Sequence, residues 1–235
     1  MNAQKLSKRL EAVASFVPTG AVVADIGSDH AYLPCYLIHH EIINKAVAGE
    51  VVKGPYESAV RQVKSEGLDK QISVRLADGL KAIEEQDKVD TITIAGMGGP
   101  LIVSILEKDP QALKHVTRLI LQPNIHAKTI RQWALKNGWA ILDEVILEED
   151  GKIYEILVLQ KGVMTLTEAE ILLGKFLIAE RSKVFIEKWS REIENWKRVL
   201  ASIQDAEQTS EIVAKRGELL HLIGLVEEVL NNENR

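Results

Sequence analysis

Apolar strand-like runs alternate with amphipathic stretches from residue 21 to residue 161, and this alternation narrows the fold more than any other feature. The runs are AVVADI at 21–26, KAVAGEVV at 45–52, ISVRLAD at 72–78, TITIAG at 91–96 and RLILQP at 118–123. Helical stretches such as PYESAVRQVKSEG and HAKTIRQWALKNG separate them. Such an order predicts a parallel sheet with helices on both faces. Two further runs follow at 140–148 and 153–160, and Asp150-Gly151 between them is a strong hairpin-turn signal. The sheet is therefore expected to end in an antiparallel hairpin.

Five parallel strands closed by a hairpin form the strand inventory of the class I methyltransferase fold, an α/β, Rossmann-like seven-stranded sheet. Dinucleotide-binding sheets usually lack the hairpin. The texture changes after Gly162, since all 6 prolines precede it and charged stretches with spaced apolar residues follow. We place a boundary near 161–166, giving a catalytic domain at 1–162 and a helical domain at 163–235. Thr167 and Glu170 fit a capping box at the start of the second part. Ile186, Trp189, Ile193, Trp196, Leu200 and Ile203 form a heptad seam. QDAEQTS interrupts it, and Leu219, Ile223, Val226 and Leu230 resume it. The expectation is an antiparallel coiled-coil hairpin with both tryptophans packed in the seam.

With 235 residues, 46% hydrophobic and 27% charged, the chain is long enough for one α/β core and a small appendage. No apolar run approaches the roughly 20 residues that span a bilayer, and the charged, amphipathic start lacks a signal-peptide core. The single cysteine, Cys35, excludes an internal disulfide and fits a reducing cytosol. A cytoplasmic protein without membrane contact is expected. The net charge of −5 argues against non-specific nucleic-acid binding but leaves room for an RNA enzyme with a local basic patch.

Asp25-Ile26-Gly27-Ser28-Asp29-His30 follows the first strand and precedes a helix. Gly27 permits the sharp turn that lets backbone approach a ligand. Asp25 can accept a hydrogen bond from the amino group of a methionine moiety. A pyrophosphate loop would carry glycines where Asp29 and Tyr32 stand. An acid there repels phosphate and suits a cation, so the loop favours S-adenosyl-L-methionine, with its sulfonium and ammonium, over NAD. Glu50, ending the second strand, can take both ribose hydroxyls. Asp78, followed by Gly79 at the end of the third, can accept from the adenine amino group. Acids at the ends of three successive strands carry more weight than any one alone.

DIGSDHAYLP, the AGE at 48–50, LADGL, AGMGG and LQPN, in this order, resemble the bacterial tRNA (adenine-22) methyltransferase family often called TrmK. The resemblance covers essentially the whole chain. It implies methyl transfer to ring nitrogen 1 of a tRNA adenosine, on a Rossmann-like domain with a coiled-coil tail. Carried over by position, it implies that Asp25, Gly27, Asp29, His30, Glu50, Asp78 and Gly79 line the cofactor. Gly27 is the only glycine of the wider class I pattern kept in the first loop.

Gly96-Met97-Gly98-Gly99-Pro100 ends the fourth strand. Enzymes that methylate exocyclic base amines usually hold the amine here with Asn or Asp followed by two prolines. This chain has no such clamp. Ring nitrogen 1 of adenine has a free lone pair, so its methylation needs chiefly in-line positioning and a suitable electrostatic setting. Gly96 is expected beside the cofactor and Met97 beside the reacting atoms. Gln122 and Asn124, at the end of the fifth strand, offer amides to an extruded base edge. Tyr32 either stacks on that base or packs the first helix. His30 and His126 fall at the same loops, but no metal-ligand spacing occurs, and no metal is expected.

Cations are expected to meet RNA in three groups. Lys5, Lys8 and Arg9 lie near the N-terminus; Lys128 and Arg131, with Lys136, follow LQPN; Arg181, Lys188, Arg191 and Arg198 share one helical face. Taken singly each fits a solvated face; together they can rim the reaction site. The partner is tRNA, and a monomer is favoured. Two rival readings are a non-catalytic S-adenosyl-L-methionine-binding protein that docks partners through its coiled coil, and a methyltransferase for proteins or small molecules.

Overall fold

A computed structural model describes residues 2–204 and 209–232. Contacts divide the chain into two compact units, Met1–Thr165 and Leu166–Arg235. In the first unit, strands β1 (Val22–Ile26), β2 (Lys45–Glu50), β3 (Ile72–Leu76), β4 (Thr91–Gly98), β5 (Arg118–Ile125), β6 (Trp139–Glu149) and β7 (Lys152–Lys161) form one sheet. Its order is β3-β2-β1-β4-β5-β7-β6. β7 pairs antiparallel with β6, as the Asp-Gly signal predicts, and also runs antiparallel to β5. Asp150 (φ 52°) and Gly151 (φ 73°) both take left-handed backbone, the requirement of a tight two-residue hairpin turn.

Helices α1 (Lys8–Ser15), α2 (Tyr32–His39) and α3 (Lys53–Ser65) contribute to one apolar cluster, and α4 (Gly99–Lys108) and α5 (Ala127–Lys136) to the other. Strand alternation feeds both faces: Ala46 and Ala48 enter the first cluster, Val47 the second. Cys35 is fully buried in the first cluster, and burial pushes its thiol up to about 12. Ser7 caps α1 by accepting from Leu10 N–H. The Glu149 carboxylate, at the end of β6, also accepts from the N–H groups of Lys8 (2.6 Å) and Arg9 (3.3 Å). An acid facing unpaired first-turn donors is favourable by charge and by hydrogen bonding. It fixes α1 at the edge of the sheet where the parallel strands end.

Arg131 corrects the expectation of an RNA contact. It is fully buried and donates to Glu144 of β6 and Glu155 of β7, each at 2.6 Å. Burial works against its charge, yet the carboxylates of Glu155 and Glu144 hold its pKa above the ordinary Arg value. The residue bolts α5 to the closing hairpin.

In the second unit the Thr167–Glu170 capping box forms as read: Thr167 N–H donates to Glu170 at 2.8 Å, and Glu170 N–H to Thr167 Oγ1 at 3.2 Å. The helix it starts is short. α6 (Glu168–Leu173) stops at Gly174 (φ 98°), and α7 (Lys175–Glu180) stops at Arg181 (φ 51°). The long helices α8 (Lys183–Ser202) and α9 (Ser210–Asn231) follow and pack on each other. The inner face of α8 runs through Phe185, Trp189 and Ile193; Ile186, expected in the seam, is 38% exposed because Phe185 takes the inward place. Leu219, Ile223 and Val226 are buried on α9 as expected. Of the residues that break the heptad pattern, 205–208 lie outside those described.

Arg181 also departs from the expected helical face. It precedes α8, and its guanidinium donates to the carbonyls of Val229 (2.8 Å) and Leu230 at the end of α9. A cation on unpaired last-turn carbonyls serves the helix, not an external phosphate.

The Arg131 pairing yields a stability test. Arg131→Ala leaves two buried carboxylates without their cation, and such a loss costs about 3–5 kcal/mol. Urea denaturation is expected to show that drop. A variant as stable as the parent would remove the bolt from the account of the fold.

Candidate active site

Strand β1 pairs with β2 on one side and β4 on the other, so the crossovers leave β1 in opposite directions. The crevice beyond the strand ends at such a reversal is where ligands bind in open α/β sheets. Asp25 lies there, 4% exposed. Ser28 Oγ donates to one carboxylate oxygen at 2.5 Å, and Thr93 Oγ1, directly opposite on β4, to the other at 2.6 Å. Burial raises the Asp25 pKa, while Ser28, Thr93 and the charge of Arg9 pull it down; burial prevails. Ser28 and Thr93 were not singled out in the sequence. Alternation in Thr91-Ile92-Thr93-Ile94 of a buried strand was the available signal, because it sets both hydroxyls toward one face.

The loop after β1 is tightly wound. Gly27 (φ 73°), Asp29 (φ 55°) and Ala31 (φ 54°) are all left-handed, a costly run for two residues with side chains. Gly27 N–H donates to Gly49 O at 2.9 Å, and Asp29 N–H donates to the Glu50 carboxylate. The left-handed angle favours glycine at 27, and its bare Cα lets the flexible end of the Met97 side chain lie against the turn. Glu50 is buried; burial raises its pKa, the Asp29 hydrogen bond opposes this, and the charges of Asp25 and Asp29 reinforce it. With both carboxyls raised, each favours the fold fully below its ordinary pKa, and that contribution is lost as pH rises through the raised one. His30 stacks on Tyr32 (centroids 5.1 Å apart), and Tyr32 also packs against the core, matching the helix-packing role considered for it.

Asp78 is exposed and paired with Lys108 of α4, whose hydrogen bond and charge hold its carboxyl below the usual range. Gly79 (φ 59°) turns the chain beside it. Arg75 pins the following segment through Asp87 (2.5 and 2.8 Å) and the Ala82 carbonyl (2.7 Å). Asp25, Glu50 and Asp78 thus stand at three successive strand ends. With them are the turn at Gly27 and no loop of the pyrophosphate type. That donor set fits a cationic, ribose-bearing cofactor.

A second network joins β4 to β5. The ladder shifts register between Ala95 and Met97, and Gly96 (φ 81°) lies in that irregularity. Gly96 N–H donates to Gln122 Oε1 at 2.9 Å, and Gly96 O accepts from Asn124 Nδ2 at 2.7 Å. Gln122 Nε2 donates to Asn124 Oδ1 at 3.3 Å, and Arg9 donates to Gln122 Oε1. Gln122 is fully buried, which corrects its expected contact to a base edge: its amide braces the loop from beneath. Asn124 is exposed at the crevice. Arg9, expected on RNA, turns inward to Gln122 and lies over the Tyr154 ring at 5.4 Å.

The remaining cations divide plainly. Lys5 and Lys8 are exposed and Lys128 is half-buried. Lys188 lies over the Trp189 ring at 4.8 Å, Arg191 pairs with Glu187, and Arg198 donates to Asn195. Among the described residues, no cluster of three or more His, Cys, Asp or Glu side chains is arranged to hold a metal. No described helix is long and apolar enough to cross a membrane.

Comparison with known proteins agrees with this geometry. The profile described as "TrmK: tRNA (adenine(22)-N(1))-methyltransferase" matches residues 23–228. The Bacillus subtilis tRNA (adenine(22)-N(1))-methyltransferase is 48% identical over 99% of this chain and 100% of its own length. Among solved structures, a Streptococcus pneumoniae protein, a candidate tRNA (m1A22) methyltransferase in complex with S-adenosyl-L-methionine, is 48% identical with a TM-score of 0.88. It covers 97% of this chain and 100% of its own. M. capricolum TrmK in complex with S-adenosyl-homocysteine is 28% identical with a TM-score of 0.85, over 96% and 98% of the two chains. The chain belongs to the TrmK family of tRNA (adenine(22)-N(1))-methyltransferases.

Proposed function

We infer that this chain transfers the methyl group of S-adenosyl-L-methionine to ring nitrogen 1 of adenosine 22 in tRNA. The observation that carries the reading is the crevice itself. Three acids stand at consecutive strand ends, and beside them is a GMGG turn that holds no amine-clamping side chain. Family membership supports the same reaction and sets aside a non-catalytic role.

When bound, S-adenosyl-L-methionine supplies a methyl group on a sulfonium. Asp25 holds the amino group of its methionine end, Glu50 takes the ribose hydroxyls, and Asp78 accepts from the adenine amine. Gly27 and Met97 bring backbone and side chain close to the reacting end. The target ring nitrogen attacks the methyl carbon with its own lone pair as the carbon–sulfur bond breaks in line. No proton leaves the base, so no side chain need act as a general base. Catalysis then rests on alignment, which the Gln122–Gly96–Asn124 brace supports. Lys5, Lys8, Lys128, Lys188, Arg191 and Arg198 supply cations for tRNA phosphates. Incubation with labelled cofactor and unmodified tRNA, followed by mapping of the modified base, tests the whole reading. Methyl on an exocyclic amine or on another nucleoside would overturn it.

Glu50→Ala is expected to weaken cofactor binding by about 1.5–3 kcal/mol, the worth of hydrogen bonds to a charged group. Because the buried carboxyl binds ribose best when ionised, affinity in the parent should rise with pH through the elevated Glu50 pKa and then level. Calorimetry in buffers of different ionisation enthalpy should register proton release across that window. Affinity independent of pH would separate Glu50 from the cofactor.

Asn124→Ala frees the Gly96 carbonyl and loosens the β4 turn. Turnover should fall roughly 10- to 100-fold, the scale of a misaligned transfer, while calorimetric cofactor affinity stays near that of the parent. Unchanged turnover would exclude the brace from catalysis.

Replacing Lys188, Arg191 and Arg198 together by Glu should raise the Michaelis constant for tRNA and flatten its dependence on salt, with cofactor affinity unchanged. A triple variant with the parent's salt dependence would assign the α8 cations to solvation alone.

A further inference from the structure

Each glycine of the Gly96-Met97-Gly98-Gly99 turn can be judged by what a side chain would meet there. Gly96 needs its left-handed φ of 81°. Gly99 has no room, since a Cβ would be driven into the backbone carbonyl of His126 and into Thr129 Oγ1. Gly98 is different on every count. Its φ of −73° and ψ of 146° suit any residue. A Cβ built on it would meet only Ile125 Cγ1 and Pro100 Cδ, both at 3.9 Å, ordinary van der Waals separation. It is also the N-cap of α4, where no side chain supplies a cap hydrogen bond and where Ser, Asp or Asn is preferred over Gly. The fold thus gives reasons to carry a side chain at 98 and none to omit one.

What the bare position leaves is an open slot with apolar edges. Ile125, the register partner of Gly98 at the end of β5, is 61% exposed and so leaves apolar surface at the mouth of the crevice. Pro100 flanks the other side and is exposed. Asn124 precedes Ile125, and Met97, which lies against the Gly27 turn, precedes Gly98. A planar ring laid on the Gly98 Cα between Ile125 and Pro100 would therefore sit beside the reacting end of the cofactor loop.

We propose that Gly98, edged by Ile125 and Pro100, is the floor on which the extruded target purine lies, and that Gly98 and Ile125 are positioning residues for the methyl transfer. The proposal rests on the function inferred above. A flat aromatic face can approach a glycine Cα more closely than any residue that carries a Cβ. A side chain would lift the ring by about 1 Å, and displacement on that scale at a transfer centre costs roughly a hundredfold in rate. Ile125 offers the apolar surface that a base loses when it leaves the RNA stack.

The test is Gly98→Ser, with Gly98→Ala and Ile125→Ala beside it, each read for melting temperature, calorimetric cofactor affinity and tRNA methylation. Gly98→Ser should melt at or slightly above the parent temperature, because it adds a helix cap. It should bind S-adenosyl-L-methionine within about twofold of the parent and lose roughly a hundredfold in kcat. Gly98→Ala should show the same loss without the cap. Ile125→Ala should raise the Michaelis constant for tRNA about tenfold, the worth of a modest apolar contact, at unchanged cofactor affinity. Full turnover in both Gly98 variants would overturn the slot, and so would a loss of cofactor affinity in them, which would give the position to the cofactor. Failure of the unaltered chain to methylate tRNA would instead count against the function, so the two failures are told apart.

Discussion

The pairing of β1 with both β2 and β4 is the constraint on which the rest of the catalytic unit hangs. Because the chain leaves β1 toward one side and returns on the other, the strand ends part there and expose backbone that no crossover covers. Asp25 ends β1 at that parting, and Thr93 faces it in register from β4. A carboxyl in this place loses hydration as soon as the sheet forms. Two hydroxyl donors only partly compensate, and its elevated pKa expresses the remainder. Glu50 repeats the situation one strand over. The fold therefore keeps two incompletely compensated carboxyls at the crevice, where a group that hydrogen-bonds them or carries positive charge would favour their ionised forms.

The β4–β5 junction shows how a sheet yields to chemistry. A regular ladder at Gly96 would bury its backbone groups in strand pairing. The register shift frees them, and the side chains of Gln122 and Asn124 take up the N–H and C=O that the ladder gives up. Arg9 then adds a donor from α1, a helix that Glu149 holds in place from the far hairpin. Side chains of β5 thus meet both backbone polar groups of Gly96 directly, and α1 reaches them through Arg9 and Gln122.

Much of this was legible in the sequence because it follows from local rules. The succession of strands along the chain, the Asp150-Gly151 hairpin, the Thr167–Glu170 cap and the acids at three strand ends all rest on periodicity or on neighbours a few residues apart. The misreadings share an opposite cause. Arg131, Arg181 and Gln122 look like exposed polar groups on a helix, a helix and a strand end. Their partners are 13 and 24 residues away for Arg131, 48 and 49 for Arg181, and 26 and 113 for Gln122. Nothing local marks a polar residue as buried when the group that satisfies it comes from another element. Ile186 failed more narrowly: Phe185 beside it fills the same inward place on α8, and a one-residue change of register is within the tolerance of a heptad pattern.

Cys35 lies one turn into α2, the helix that the cofactor loop leads into, and it is wholly enclosed. A thiol held near 12 is almost entirely protonated at neutral pH, and oxidants and electrophiles react with thiolate. The folded enzyme is therefore silent to redox chemistry at its only sulfhydryl. The silence lasts only while α2 stays seated. Any opening that unpacks this helix exposes the sulfur and drops its pKa together, so the thiol becomes reachable and reactive in one event. Oxidation at Cys35 is accordingly a record of molecules in which α2 had already unpacked.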